Sequence, residues 1–303
     1  MTAIRTVLLA GIALAGVTAP TFAQEMDVIR IGILGGENET DRLANNQCLI
    51  DLLPEAIGVK EVKLFPAADY DGVIQGLLGG TLDIAGLGAS GFAKVYLADP
   101  EAVEPFNTTV QLDGAMGYHS ILLARKDSGI DTLEAAKGKT LGYADPDSTS
   151  GYLIPLVTLP EKTGMANDEY FSATSFNGGH ENNVLALLDH KVDVAVTWTS
   201  GVGEFSEGYS SGNTRSMADK GMLDMEDVTQ LWLSPLIPNG PNVMRSDLPQ
   251  AMKDKIVAFY TNLPETDYEC FSGIERGDYK GYAPVDADFY KPIIDARKAT
   301  IGG

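Results

Sequence analysis

Val28-Ile29-Arg30-Ile31-Gly32-Ile33-Leu34, running into Gly35-Gly36, opens the part of the chain that decides the fold. Its β-branched residues and its glycine stop read as a strand. Asp41 to Leu53 has the spacing of a helix and is expected to end at Pro54, since proline disfavours helical backbone in the residue before it. Val62-Lys63-Leu64-Phe65 gives a second strand, and Tyr70 to Leu78 a second helix that stops at Gly79-Gly80. Leu82-Asp83-Ile84-Ala85-Gly86-Leu87 gives a third strand. This alternation predicts an α/β protein with a parallel, doubly wound sheet and helices on both faces.

A second series of the same kind starts near Tyr118. Ser120 to Ala124 reads as a strand, Asp131 to Lys137 as a short helix, and Lys139 to Tyr143 as a strand. A helical run follows through Leu159, kinked or started late by Pro155. His180 to Leu188 reads as a helix and Val192 to Val196 as a strand. Ala251 to Asn262 and Phe289 to Lys298 are the last two helices. Pro235 to Pro241 looks like a connection. Chain crossings near Ala124 and at Ser234 to Asn242 would make a discontinuous first lobe, 24–123 with 234–303, and a second lobe over 124–233.

Upstream of β-rich sequence, Arg5, the apolar run Val7 to Val17 and the small residues ending at Ala23 have the form of a secretory leader over 1–23, cleaved after Ala23. The apolar run is short for a membrane span. A soluble, periplasmic protein is the expectation, and a monomer. The 303 residues carry 22 basic and 42 acidic side chains, a net charge of −20. Such a surface repels nucleic acid and anionic lipid. Any anionic ligand must therefore be held by local groups. Cys48 and Cys270 form an even pair, and in an oxidising compartment a disulfide is the expectation, with two buried thiols as the alternative.

Asp145-Pro146-Asp147-Ser148-Thr149-Ser150-Gly151 lies between a strand and a helix. Helix starts leave N–H groups unpaired and carry partial positive charge, so hydroxyls clustered there can wrap a tetrahedral oxyanion without a basic side chain. The same residues would also serve as an ordinary helix cap. Phe176-Asn177-Gly178-Gly179-His180-Glu181-Asn182 marks a second helix start, where His180 could donate to an anion or be structural. No second His follows four positions on, so zinc is not expected. Tyr70 and Tyr118 stand at element boundaries and could point hydroxyls into a cleft or simply pack. Trp198 follows a strand and could wall a pocket or cap the core.

Taken together, these segments resemble the phosphonate-binding proteins of ABC transporters. The resemblance is carried by Ala68-Asp69-Tyr70-Asp71-Gly72-Val73-Ile74-Gln75-Gly76, Leu82-Asp83-Ile84-Ala85 and Asp113-Gly114-Ala115-Met116-Gly117-Tyr118-His119-Ser120. It continues in Asp145 to Leu153, Gly178-Gly179-His180-Glu181-Asn182 and Ser234-Pro235-Leu236-Ile237-Pro238. It implies a two-lobe, hinge-linked type II periplasmic binding protein, each lobe a mainly parallel sheet flanked by helices. It implies a phosphonate held by Tyr70, Tyr118, Ser148, Thr149, Ser150 and His180, a membrane permease as partner, no cofactor and no catalysis.

The resemblance breaks at the organic end of the ligand. Aminoalkylphosphonate binders place two acids on the ammonium, and the matching positions here are Ser200 and Gly240. A buried ammonium without a carboxylate is costly, so either the tail is uncharged or another acid substitutes, with Glu37, Glu181 and Glu204 as candidates. Phosphate, phosphite or another small oxyanion is the alternative ligand. A secreted hydrolase using Ser148 or Ser150 with His180 is a further rival, weakened by the lack of a Gly-x-Ser-x-Gly elbow.

Overall fold

The computed structural model of the protein describes residues 26–300. The leader expected over 1–23 lies outside them. The first run of elements is β1 (Val28–Ile33), α1 (Glu39–Ile57), β2 (Glu61–Pro66), α2 (Tyr70–Leu78), β3 (Ile84–Gly86), α3 (Ala89–Ala98) and β4 (Val103–Val110). The second is β5 (Gly117–Arg125), β6 (Thr140–Tyr143), α4 (Ile154–Thr163), α5 (Asn167–Tyr170), β7 (Ala173–Phe176), α6 (His180–Leu188), β8 (Val194–Thr199), α7 (Asn213–Asp219), β9 (Val228–Leu233) and β10 (Ile237–Pro238). The last is β11 (Pro241–Arg245), α8 (Gln250–Thr266), α9 (Tyr268–Glu275), β12 (Gly281–Pro284) and α10 (Lys291–Thr300).

Two sheets result, both flanked by helices, as the α/β reading expects. The first has the order β12-β4-β11-β3-β1-β2, the second β10-β5-β8-β6-β7 with β9 also paired to β5. The parallel part of each is the strand–helix–strand part: β2, β1 and β3 in one, β7, β6 and β8 in the other. The strands that carry the chain between sheets, β5 and β11, run antiparallel to their neighbours. Each sheet is therefore mixed rather than mainly parallel.

The chain changes sheet over residues 111–116 and again at Asn239 and Gly240. The expectation places the first switch near Ala124. It falls earlier because His119 to Ala124 already pair with β8 of the second sheet. Residues 234–238 likewise stay with the second sheet, where Ile237 and Pro238 pair with Tyr118 and Gly117. The two crossings are bound together: Asn239 donates its N–H to Met116 O at 3.1 Å and its side-chain amide to Thr109 O at 2.9 Å.

Several helices differ in their bounds from the sequence reading, two of them for a clear physical reason. The first runs through Pro54 to Ile57 and ends at Gly58, whose φ of 82° supplies the left-handed cap. Pro54 sits in the last turn, so its missing N–H removes one bond while the Gly58 N–H closes the helix onto Pro54 O. The helix expected over Asp131 to Lys137 is a single 3₁₀ turn, Glu134–Ala136. That stretch is too short to repay helix nucleation. Cys48 of α1 and Cys270 of α9 are joined in a disulfide, with Cα atoms 5.8 Å apart.

Candidate ligand-binding site between the sheets

A cavity of about 220 Å³ lies between the two sheets. Tyr70, Tyr118, Ser148, Thr149, Ser150, His180, Trp198 and Gly240 all line it. Ser200 does not.

The serine loop enters helix α4 through a wide π-helical turn, Thr149–Leu153. The first N–H groups of a helical turn lack carbonyl partners within the helix, and such a position favours an anion. Ser148 caps the turn, its Oγ accepting from the Gly151 N–H at 3.0 Å and lying 3.1 Å from His180 Nε2. Thr149 Oγ1 accepts from the Ser90 N–H at 2.8 Å, which ties the loop to the start of α3 on the first-sheet side. The Ser150 carbonyl accepts from Ser120 Oγ at 2.7 Å. The capping role expected of the loop is therefore filled by Ser148.

His180 begins α6, buried, with Nδ1 3.4 Å from Thr197 Oγ1. Burial pushes its pKa down to about 3. It is neutral at physiological pH and offers a ring N–H rather than a charge. Tyr70 starts α2 and interacts with Ser148; Tyr118, the second residue of β5, interacts with Ser150 and Thr149. Burial raises both phenols above their ordinary pKa, so both remain O–H donors. Trp198 stands edge-to-face with Tyr118, ring centres 5.7 Å apart.

The two halves of the cavity meet at a backbone seam. Gly179, with φ 140°, lies so close to Gly36 that a Cβ on it would fall 2.1 Å from Gly36 Cα. Beside the serine loop, Asp147 is clasped from the first-sheet side. Its Oδ1 takes Arg297 Nη2 at 2.7 Å and its Oδ2 takes Lys94 Nζ at 2.8 Å. Lys220 makes a second link, to Asp41 of α1 at 2.8 Å and Glu181 of α6 at 3.1 Å.

The positions expected to read the ligand's tail are corrected by the geometry. Ser200 is turned into its own loop, where its Oγ lies 3.0 Å from Ser210 Oγ and accepts from the N–H groups of Val202 and Ser211. Gly240 lines the wall, but a Cβ there would meet Leu87 O at 1.9 Å, so this backbone admits no acid. Of the substitute acids, Glu181 is engaged by Lys220 and Glu204 is exposed. Glu37 does line the cavity, hydrogen-bonded and ion-paired with Arg276.

Sequence reasoning missed Arg42, Glu275, Arg276, Tyr260 and Tyr279 in the wall. Arg42 is buried against backbone, donating to Leu34 O at 2.7 Å, Ala67 O at 3.1 Å and Glu37 O at 3.1 Å. Glu275 accepts from Tyr282 OH at 2.5 Å, and burial raises its pKa to about 7. The Glu275-Arg276-Gly277 stretch signals a helix end, but nothing local shows which way its side chains face.

A family model described as "ABC transporter, phosphonate, periplasmic substrate-binding protein" matches residues 31–290. The chain belongs to this family. Its fold and its place as a transporter's substrate-binding component follow from that membership. The phosphonates-binding periplasmic protein of Escherichia coli K12 is 31% identical over 288 residues, spanning 93% of this chain and 79% of that one. The phosphate-import protein PhnD of Mycolicibacterium smegmatis is 29% identical over 242 residues, 77% of this chain and 71% of that one. Among solved structures, a binding protein component of an ABC phosphonate transporter from Pseudomonas aeruginosa superposes with a TM-score of 0.75 at 31% identity. That match covers 89% of this chain and 85% of the other. PhnD1 of Prochlorococcus marinus, solved with methylphosphonate, gives 0.75 at 15% identity, covering 91% and 99%, and supports the fold. Among the described residues no helix is long and apolar enough to cross a membrane. None of their His, Cys, Asp and Glu side chains group in threes as a metal site would need.

Proposed function

We propose that the chain captures a phosphonate, or a related phosphorus oxyanion, in the cavity between its sheets and delivers it to a membrane permease. One observation carries this reading: two helix starts, the Ser148–Ser150 turn and His180, converge with the phenols of Tyr70 and Tyr118 on a single cavity. These groups are uncharged, and His180 acts on the anion through the Ser148 hydroxyl it touches. A tetrahedral anion there exchanges its water for fixed N–H and O–H dipoles. The segment pairs at 111–116 and 239–240 act as the hinge between two lobes, and the ligand, touching both, holds them closed. The leader is removed after Ala23 and the mature protein works as a monomer in the periplasm.

Calorimetric titration with methylphosphonate, phosphite and inorganic phosphate tests the reading. Binding of at least one, weakened tenfold or more by Ser148→Ala, is the expected result; no heat with any of the three sinks it. Inorganic phosphate is kept as a ligand because the Mycolicibacterium relative is named for phosphate import.

A second reading rests on the Ser148 Oγ to His180 Nε2 distance of 3.1 Å, which is that of a nucleophile and its base. The base is poorly set for that task. A neutral His with a pKa of about 3 takes a proton weakly, and its other nitrogen faces Thr197 rather than a carboxylate. Hydrolysis of p-nitrophenyl phosphate, lost in Ser148→Ala, would establish it.

A further inference from the structure

We propose that the Glu37–Arg276 ion pair in the cavity wall selects a ligand whose tail carries an ammonium and a carboxylate side by side, that is, a phosphonate built on an amino acid. The inference rests on the phosphonate reading above and concerns the end of the ligand away from the Ser148 loop.

Arg276 is placed with unusual specificity. It ends α9 at φ 59°, a left-handed position normally taken by Gly or Asn. A residue held there against its preference is a pointer to use. Its side chain reaches from the first-sheet side across to the second, the guanidinium 5.5 Å from the Trp198 ring centre. The next residue, Gly277, bridges to Ser211 of the second-sheet side and fixes the turn. Trp198 in turn meets Tyr118, which contacts Thr149 and Ser150. Two rings thus stand between Arg276 and the head-group loop.

The pair leaves both partners with spare capacity. Among the described residues, the one side-chain hydrogen bond of Arg276 goes from Nη1 to Glu37 Oε1. Guanidinium has five N–H donors and a carboxylate two oxygens, so donors of one partner and an oxygen of the other remain. A tail with only an ammonium would gain Glu37 and face Arg276 as a like charge. A tail with only a carboxylate would meet the opposite conflict. An adjacent ammonium and carboxylate answer both and extend the pair into an alternating set of four charges. The two places where an acid would serve a simple ammonium are closed: Ser200 is turned away and Gly240 has no room for a side chain. The cavity of about 220 Å³ has room for a phosphonate with a short substituted tail.

The test is a calorimetric titration of the mature protein with four probes. They are methylphosphonate, 2-aminoethylphosphonate, 3-phosphonopropionate and 2-amino-3-phosphonopropionate. The amino-acid probe is expected to bind at least tenfold more tightly than each of the others. In Glu37→Gln and in Arg276→Gln that advantage over methylphosphonate should fall below threefold. Using the ratio cancels any general loss of folding in the variants. Methylphosphonate binding with no preference for the amino-acid probe, or a preference unmoved by both substitutions, overturns the inference alone. No heat from any probe brings down the phosphonate reading and the inference with it.

Discussion

Replacing Gly179 with Ala puts one methyl group into the seam between the two halves of the protein. Two separate effects can be worked out. Gly179 has φ 140° and ψ 175°, a region essentially closed to other residues, which costs roughly 1–3 kcal/mol for any L side chain. That strain acts whether the cleft is open or closed. The second effect acts only when it is closed, because the new Cβ would lie 2.1 Å from Gly36 Cα and 2.4 Å from Gly36 O. Both obstacles are backbone, so no rotamer change relieves them. Closure must stop short, and a ligand held from both sides loses part of its contacts. The melting temperature without ligand should fall by a few degrees, at about 2–4 °C per kcal/mol for a chain of this class. Affinity for the tightest ligand should fall at least tenfold further, equivalent to about 1.4 kcal/mol. Gly36→Ala meets Gly179 Cα at 2.8 Å and should show the same pattern, more mildly. Differential scanning calorimetry and titration calorimetry on the same samples separate the two effects. An affinity within threefold of wild type in Gly179→Ala, with the melting temperature lowered, would refute the seam as part of the closed state.

Asp147→Asn should lower stability by roughly 3 kcal/mol, since removing one partner strands a buried charge; denaturant melts measure it. Arg297, 4% exposed, would keep Ser90 Oγ at 2.9 Å as its charged partner is lost. Stability linked to His180 is whole above the unfolded value near 6.5 and is lost as pH falls toward about 3, because the unfolded chain binds the proton first. Glu275 has the opposite sign: its contribution is whole below about pH 4.5 and is lost as pH rises through about 7, so Glu275→Gln should flatten that decline in melts between pH 5 and 8. Replacing both Cys48 and Cys270 with Ala should cost about 2–5 kcal/mol, and thiol titration of the denatured wild type should find no free thiol among these two.

The placing of the proposed head-group residues was legible because their elements are local. The helix beginning at His180 spans the residues that its glycines and apolar spacing predict. Ser148 to Ser150 sit at a helix start because the strand before and the helical run after leave them nowhere else. What was not legible is long-range. Glu37 and Arg276 lie 239 positions apart and meet only once α1 and α9 pack together. Ser200 follows β8 closely enough to be placed beside Trp198, yet the bridge between Thr199 and Gly212 folds the segment after it back so that Ser200 turns into its own loop. Gly240 reads as a lost acid in sequence; in space it is a position where the backbone already touches Leu87. The Pro54 stop failed because proline's effect depends on how many turns remain, and here only one did.

The order of strands also sets a timetable for synthesis. Everything in the second sheet comes from one unbroken stretch, Gly117 to Pro238. The first sheet instead needs β11 to lie between β3 and β4, and β12 to finish its edge. A chain halted before Pro241 therefore holds a complete second sheet beside a first one split down its middle, with Cys48 still waiting for its mate. The early-made half is the last to be finished.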